Sequence, residues 1–237
     1  MLFPLTTLVL GPLLMVQGRY VRRVTPRLPE AAGERSGSGG QGPELRVLIA
    51  GDSAAAGVGV ATQDEALSGQ LCQVLMPDFS VHWKLLAQTG RTSSQVLEAL
   101  SAEPEQGFDV AVVSVGVNDV TGRTSDLKWQ VNLAQLTRVL TGRFRVRHVV
   151  FTAVPPMHLF PSLPQPLRWY LGLRARQLNR QLEYHCRQDP ACEYLAVPFP
   201  VSGELMASDG FHPGAQAYRL WGRHAAEVLK KRLQPPR

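Results

Sequence analysis

Leu45–Gly59 reads LRVLIAGDSAAAGVG, and the fold turns on how that stretch is read. Leu45–Ala50 is a short, continuous apolar run bounded by glycine, the pattern of a strand buried on both faces. Gly51-Asp52-Ser53 follows at once, then small residues and Gly57 and Gly59, as in a strand-to-helix turn built close to neighbouring backbone. Working outward, four more runs read as strands: Val81–Ala87 (VHWKLLA), Asp109–Val115 (DVAVVSV), His148–Ala153 (HVVFTA) and Glu193–Val197 (EYLAV). Helical patterns fall between them near 65–76, 93–103, 124–141 and 165–188. A last helix near 214–233 carries Ala217, Leu220, Trp221, His224 and Val228 on one stripe. Strands alternating with helices predict an α/β fold: a three-layer α/β/α sandwich, flavodoxin-like, around a doubly wound parallel sheet of about five strands.

In such sheets ligands bind beyond the carboxyl ends of the strands. After the first strand stands Ser53; after the second, Gln88-Thr89-Gly90-Arg91; after the third, Gly116-Val117-Asn118-Asp119. Asp209-Gly210-Phe211-His212-Pro213 opens the final helix. Each piece alone has a plainer reading as a helix cap, a turn glycine, an Asx turn or a metal-ligand pair. Together they supply a nucleophile, two oxyanion donors and an imidazole oriented by a carboxylate, all on one sheet edge.

These blocks resemble those of the SGNH hydrolase superfamily, the GDSL-type esterases and lipases, and the similarity runs from Leu45 to about Leu233. The resemblance implies a carboxylic ester hydrolase with Ser53 as nucleophile, His212 as base and Asp209 as the triad acid. It implies an oxyanion hole formed by the N–H groups of Ser53 and Gly90 with the Asn118 amide. Ala54 stands where the family's name has leucine, and Arg91-Thr92 follow Gly90 where smaller residues are common. Neither cofactor nor metal is implied. The substrate stays open among lysophospholipids or other acyl esters, with carbohydrate O-deacetylase, thioesterase and acyltransferase as alternatives on the same triad. An inactive, membrane-tethered binding module is the non-enzyme alternative, and an intact set of five residues argues against it.

For the substrate pocket, Val120, Met157, Leu159 and Phe160 are the candidates. The last three lie in the Pro-rich stretch Val154–Pro166 (VPPMHLFPSLPQP), which follows the fourth strand. His82, His148 and His224 read as structural; His158 falls beside the cleft.

The 237 residues are 44% hydrophobic and 19% charged, enough for one globular domain over 44–237. The formal charge of +6 raises nucleic acid as a partner, but the arginines between Arg138 and Arg180 are scattered and no nucleic-acid motif accompanies them. Residues 1–18 (MLFPLTTLVLGPLLMVQG) are uncharged, and Arg19, Arg22, Arg23 and Arg27 follow. As a helix they rise about 27 Å, marginal for a membrane anchor; a cleaved signal leading to export is the rival reading. The positive-inside rule would leave the domain facing the cytoplasm. Residues 19–43 read as a basic, then flexible linker, small and polar from 31 to 43. Three cysteines make no disulfide framework, although Cys186 and Cys192 are close enough in sequence to pair in an oxidising compartment. Oligomeric state is not legible.

Overall fold

The computed structural model describes residues 2–198 and 205–233, and of residues 2–9 the backbone alone. Met1 of the expected anchor therefore lies outside the described residues. In chain order the elements are α1 (Leu2–Val24), β1 (Ser36–Gly39), β2 (Glu44–Gly51), α2 (Leu67–Leu75), β3 (Ser80–Ala87), α3 (Ser93–Ala102) and β4 (Val110–Ser114). There follow α4 (Val117–Thr121), α5 (Asp126–Arg138), β5 (His148–Thr152), α6 (Leu167–Gln188), β6 (Cys192–Leu195) and α7 (Ala215–Leu233). All five expected strands are present to within about two residues at either end. They stand in the order β3-β2-β4-β5-β6, all parallel, the flavodoxin-like winding.

The central strands are apolar throughout because both faces are covered. Leu48 and Ala50 of β2, with Ala111 and Val113 of β4, pack beneath α3, α5 and α6. Val47, Ile49, Val110 and Val112 point the other way, into the core under α2 and α7. Every residue of β4 and β5 is buried, which is why these strands read as unbroken hydrophobic runs rather than alternating ones.

The sheet has a sixth strand. β1, sequence SGSG, pairs antiparallel with the outer edge of β3, within the stretch read from sequence as a flexible linker. Its small residues serve contact, not flexibility. A Cβ built on Gly37 would come within 2.3 Å of the Trp83 indole, and one on Gly39 within 2.8 Å of the Met76 side chain. The chain before it is tied in as well: Ala32 N–H donates to Ala61, and Ala32 accepts from Gln63 N–H.

Among the described residues no helix is long and apolar enough to cross a membrane, so the expected span is not found there. α1 instead lies against α6. Leu14 and Val21 are buried in the core beneath α6, and the Gln17 amide accepts from Leu167 N–H (3.1 Å) and donates to the Gln165 carbonyl (2.7 Å). Cys186 and Cys192 are free thiols, as is Cys72. Burial pushes Cys186 up to about 12 and Cys192 up to about 11, which leaves both unreactive.

Since Gly37 is crowded by Trp83, Gly37→Val will displace β1 from the sheet edge. The expected cost is about 1–3 kcal/mol in denaturant unfolding, with faster proteolysis between residues 35 and 43 of the folded protein.

Candidate active site

Register sets the site. Gly51 of β2 stands opposite Ala87 of β3 and opposite Ser114 of β4, so the three strands end level with one another. The residues that follow each strand are delivered to one place. β2 is also where the strand order reverses, β3 lying on one side and β4 on the other, and that crevice is where such sheets bind ligands. Ser53 comes two residues beyond it.

Backbone hydrogen bonds shape the turn around Ser53: Asp52 N–H to Ser114 O, Ala56 N–H to Asp52 O, and Val58 N–H to Ser53 O. The Tyr218 hydroxyl of α7 lies 2.9 Å from Ala54 O and 2.8 Å from Val58 O. It fastens the turn to the helix whose N-terminal approach carries His212. The His212 Nε2 is 3.0 Å from Ser53 Oγ, and its Nδ1 is 2.6 Å from Asp209 Oδ2. The other Asp209 oxygen accepts the N–H groups of Phe211 and His212, both at 2.9 Å. Three hydrogen bonds to one carboxylate are thus used to hold one imidazole, which fixes the ring with Nε2 towards the serine. Burial alone would push Asp209 up. The His212 ring and the two backbone donors outweigh it and hold the carboxyl below the ordinary range.

Asp52, which sequence reasoning passed over, behaves oppositely. It is 1% exposed, and burial pushes its carboxyl up to about 7 against the Ala54 N–H and His212, which pull it down. It lines the same cavity as Ser53 and His212. Nothing in the spacing separates it from an ordinary turn aspartate; only its burial does.

The two expected oxyanion-donor loops are joined by a buried carboxylate. Asp119 is inaccessible to solvent and accepts from Ser93 N–H (2.9 Å), Ser93 Oγ (2.6 Å) and Thr124 Oγ1 (2.9 Å). Asn132 Nδ2 in turn donates to Ser93 Oγ at 2.7 Å. The loop after β3 is thereby bound to the loop after β4. Asn118 Nδ2 donates to Arg91 O at 3.0 Å, which employs one amide hydrogen and leaves the second for another acceptor. Gly90 adopts φ +85°, and Gly116 adopts φ +123° where a Cβ would come within 2.4 Å of Val154. The glycine at 116 is therefore required for α4 to begin where it does.

A cavity of about 210 Å³ opens from Ser53 and His212. Its wall is mainly apolar and includes Val117, Pro155, Leu159, Phe160 and Phe211. Leu159 and Phe160 thus stand where the sequence placed them. Val120 and Met157 do not. Val120 (1% exposed) and Met157 (0%) turn into the core under α5 and α6 and touch no part of the cavity. Both belong to short helical turns, Val117–Thr121 and Met157–Leu159, whose faces loop proximity does not reveal. His158 also lies off the cavity, beside Gly172 of α6. Arg168 lines it, and sequence reading had counted that residue among scattered charges. Among the described residues no group of His, Cys, Asp and Glu is placed to hold a metal ion.

The shift at Asp52 has a thermodynamic consequence. An unfolded chain releases this proton at about 3.9, the folded protein at about 7. Folding is therefore penalised progressively as pH rises between these values, by up to about 4 kcal/mol. Asp52→Asn keeps an acceptor for the Ala54 N–H and has no proton to lose. Its stability relative to wild type should rise by up to about that amount, 4 kcal/mol, between pH 4 and pH 8 in denaturant titrations.

Solved structures share this architecture. A lipase/acylhydrolase from Enterococcus faecalis is 18% identical with a TM-score of 0.56, covering 81% of this chain and 99% of its own. An aryl esterase from M. smegmatis is 18% identical with a TM-score of 0.57, covering 79% of this chain and 99% of its own. The structure of TesA is 22% identical with a TM-score of 0.59, covering 80% of this chain and all of its own. No curated protein sequence matches the chain. The GDSL-like lipase/acylhydrolase family model matches residues 49–220, a stretch that takes in Ser53, Gly90, Asn118, Asp209 and His212, and the chain belongs to that family.

Proposed function

We propose that this member of an ester-hydrolase family cleaves carboxylic esters through an acyl-enzyme on Ser53. The observation that carries this reading is the chain Ser53 Oγ–His212 Nε2–Asp209, at 3.0 and 2.6 Å, opening into a mainly apolar cavity. His212 takes the Ser53 proton as Oγ attacks the acyl carbonyl, and Asp209 stabilises the imidazolium that forms. Negative charge developing on the carbonyl oxygen is met by the N–H groups of Ser53 and Gly90 and the remaining Asn118 amide hydrogen, each such donor being worth about 3 kcal/mol. His212 then returns its proton to the departing alcohol. Water, deprotonated by the same imidazole, releases the acid. The apolar wall formed with Leu159, Phe160 and Phe211 supports an acyl chain longer than acetyl. That favours acyl esters, lysophospholipids among them, over acetylated carbohydrates.

The outer face of α1 supports a lipid surface as the place of work. Leu13 (46% exposed), Val16 (62%) and Tyr20 (61%) project from the helix beside the exposed Arg19, Arg22 and Arg23. An amphipathic helix of this kind lies in an anionic interface rather than across it.

Ser53→Ala and His212→Ala should each lower turnover of p-nitrophenyl esters by roughly 10⁴-fold or more with the thermal melt unchanged. A fluorophosphonate probe should label wild type at Ser53; retained hydrolysis by Ser53→Ala would sink the assignment. Full-length protein should co-sediment with phosphatidylserine vesicles, and changing Leu13, Val16 and Tyr20 together to serine should abolish this. Equal sedimentation of that variant would defeat the lipid-surface reading.

A further inference from the structure

Arg168 stands in the cavity wall, and among the described residues no counter-charge meets its guanidinium. Arg168 lines the same space as Ser53 and His212, among Pro155, Pro156, Leu159 and Phe160. Its Nε is buried and meets no hydrogen-bond partner. No ion pair is made by its side chain among the described residues, whereas Arg174 and Arg187 of the same helix pair with Asp126 and Glu183. Arg168 is also the second residue of α6, where the helix dipole disfavours a cation, so its position does not serve the helix. Burying part of a guanidinium against apolar side chains, with a donor unmet, is unfavourable until something brings an acceptor. Among the described residues, the two carboxylates that line or adjoin the cavity are otherwise engaged: Asp209 holds His212, and Asp52 accepts the Ala54 N–H.

We infer that Arg168 recognises an oxyanion carried by the substrate, so that the ester cleaved at Ser53 bears a carboxylate or phosphate group. The inference rests on the ester-hydrolase reading above and narrows its substrate class. A guanidinium presents a planar fork of donors that matches a carboxylate or phosphate with two parallel hydrogen bonds. The rest of the wall is mainly apolar, so the same cavity takes hydrocarbon along Leu159 and Phe160 while Arg168 meets the charge. The alternative is that the arginine only lays its methylenes along the wall and holds its tip in water. That alternative predicts no preference for charged esters.

Two matched pairs of esters separate these cases. One pair varies the acyl side, p-nitrophenyl butyrate against p-nitrophenyl hydrogen glutarate. The other varies the alcohol side, butyryl glycerol against butyryl glycerol 3-phosphate. Wild-type enzyme should favour the anionic member of at least one pair in kcat/KM, and the pair that shows it tells which side of the ester carries the charge. Arg168→Gln should lower that anionic-to-neutral ratio by roughly tenfold or more, and Arg168→Lys should restore part of it; thermal melts establish that both variants fold. Neutral esters cleaved as well as anionic ones in both pairs would overturn the inference, as would a preference that survives in Arg168→Gln. If wild type cleaves none of the four esters, the ester-hydrolase reading falls and this inference with it.

Discussion

Parallel strands end level only if their register makes them do so, and the chemistry of this protein depends on that register. Gly51 is paired with Ala87 on one side and Ser114 on the other. A slip of one residue in either pairing would carry Ser53 about 3.3 Å away from its partner loop and turn each strand's buried face over. Such a slip is heavily penalised because β2 and β4 are buried on both faces by side chains of different size. Level ends do not by themselves order the loops beyond them. Asp119 does that, since three donors from two loops converge on a carboxylate that no solvent reaches. A buried carboxylate is tolerated only when its oxygens are satisfied, so the loops cannot part without exposing that cost.

Two carboxylates beside one imidazole are pushed in opposite directions, and the difference lies in donor count. Asp209 receives two backbone N–H groups and the His212 ring. Its charge is favoured by the fold, and the stability it adds is present above its unfolded value and lost as pH falls through its lowered folded value. Asp52 lies in full burial, and the Ala54 N–H it accepts is too little to offset desolvation. Asp52 is thus held less readily ionised than Asp209, and only Asp209 is hydrogen-bonded to the imidazole. The contact that orients His212 therefore comes from one side.

The strands that read most clearly from sequence were those buried on both faces, because burial leaves a signature in every residue of Val110–Ser114 and His148–Thr152. Ser53, Gly90, Asn118, Asp209 and His212 stand out as candidates because each follows a strand end or precedes a helix, and position along the chain is position in space at those points. What failed was anything decided by a face or a neighbour. Ser36–Gly39 looked like linker because small residues that make room for Trp83 have the composition of flexible chain. Val120 and Met157 lie in the expected segments but turn inward. Arg168 is one arginine among many until its place in the cavity wall and its buried, unmet Nε set it apart.

The stretch Val154–Pro166 forms much of the cavity wall, and it has no regular structure beyond one helical turn to hold its shape. Its anchors come from elsewhere. The Asn179 side chain on α6 binds both the N–H and the carbonyl of Val154 at 2.8 Å. Ser162 donates to Gly210, within the segment that carries Asp209 and His212. At the far end Gln17 of α1 spans the turn into α6, one residue before Arg168. An amide that both donates and accepts across a chain reversal constrains it in two directions, where a single hydrogen bond leaves a pivot. The N-terminal helix is therefore hydrogen-bonded through one side chain to the end of the stretch that forms much of the cavity wall. A change in where α1 lies therefore bears on the end of the loop next to Arg168.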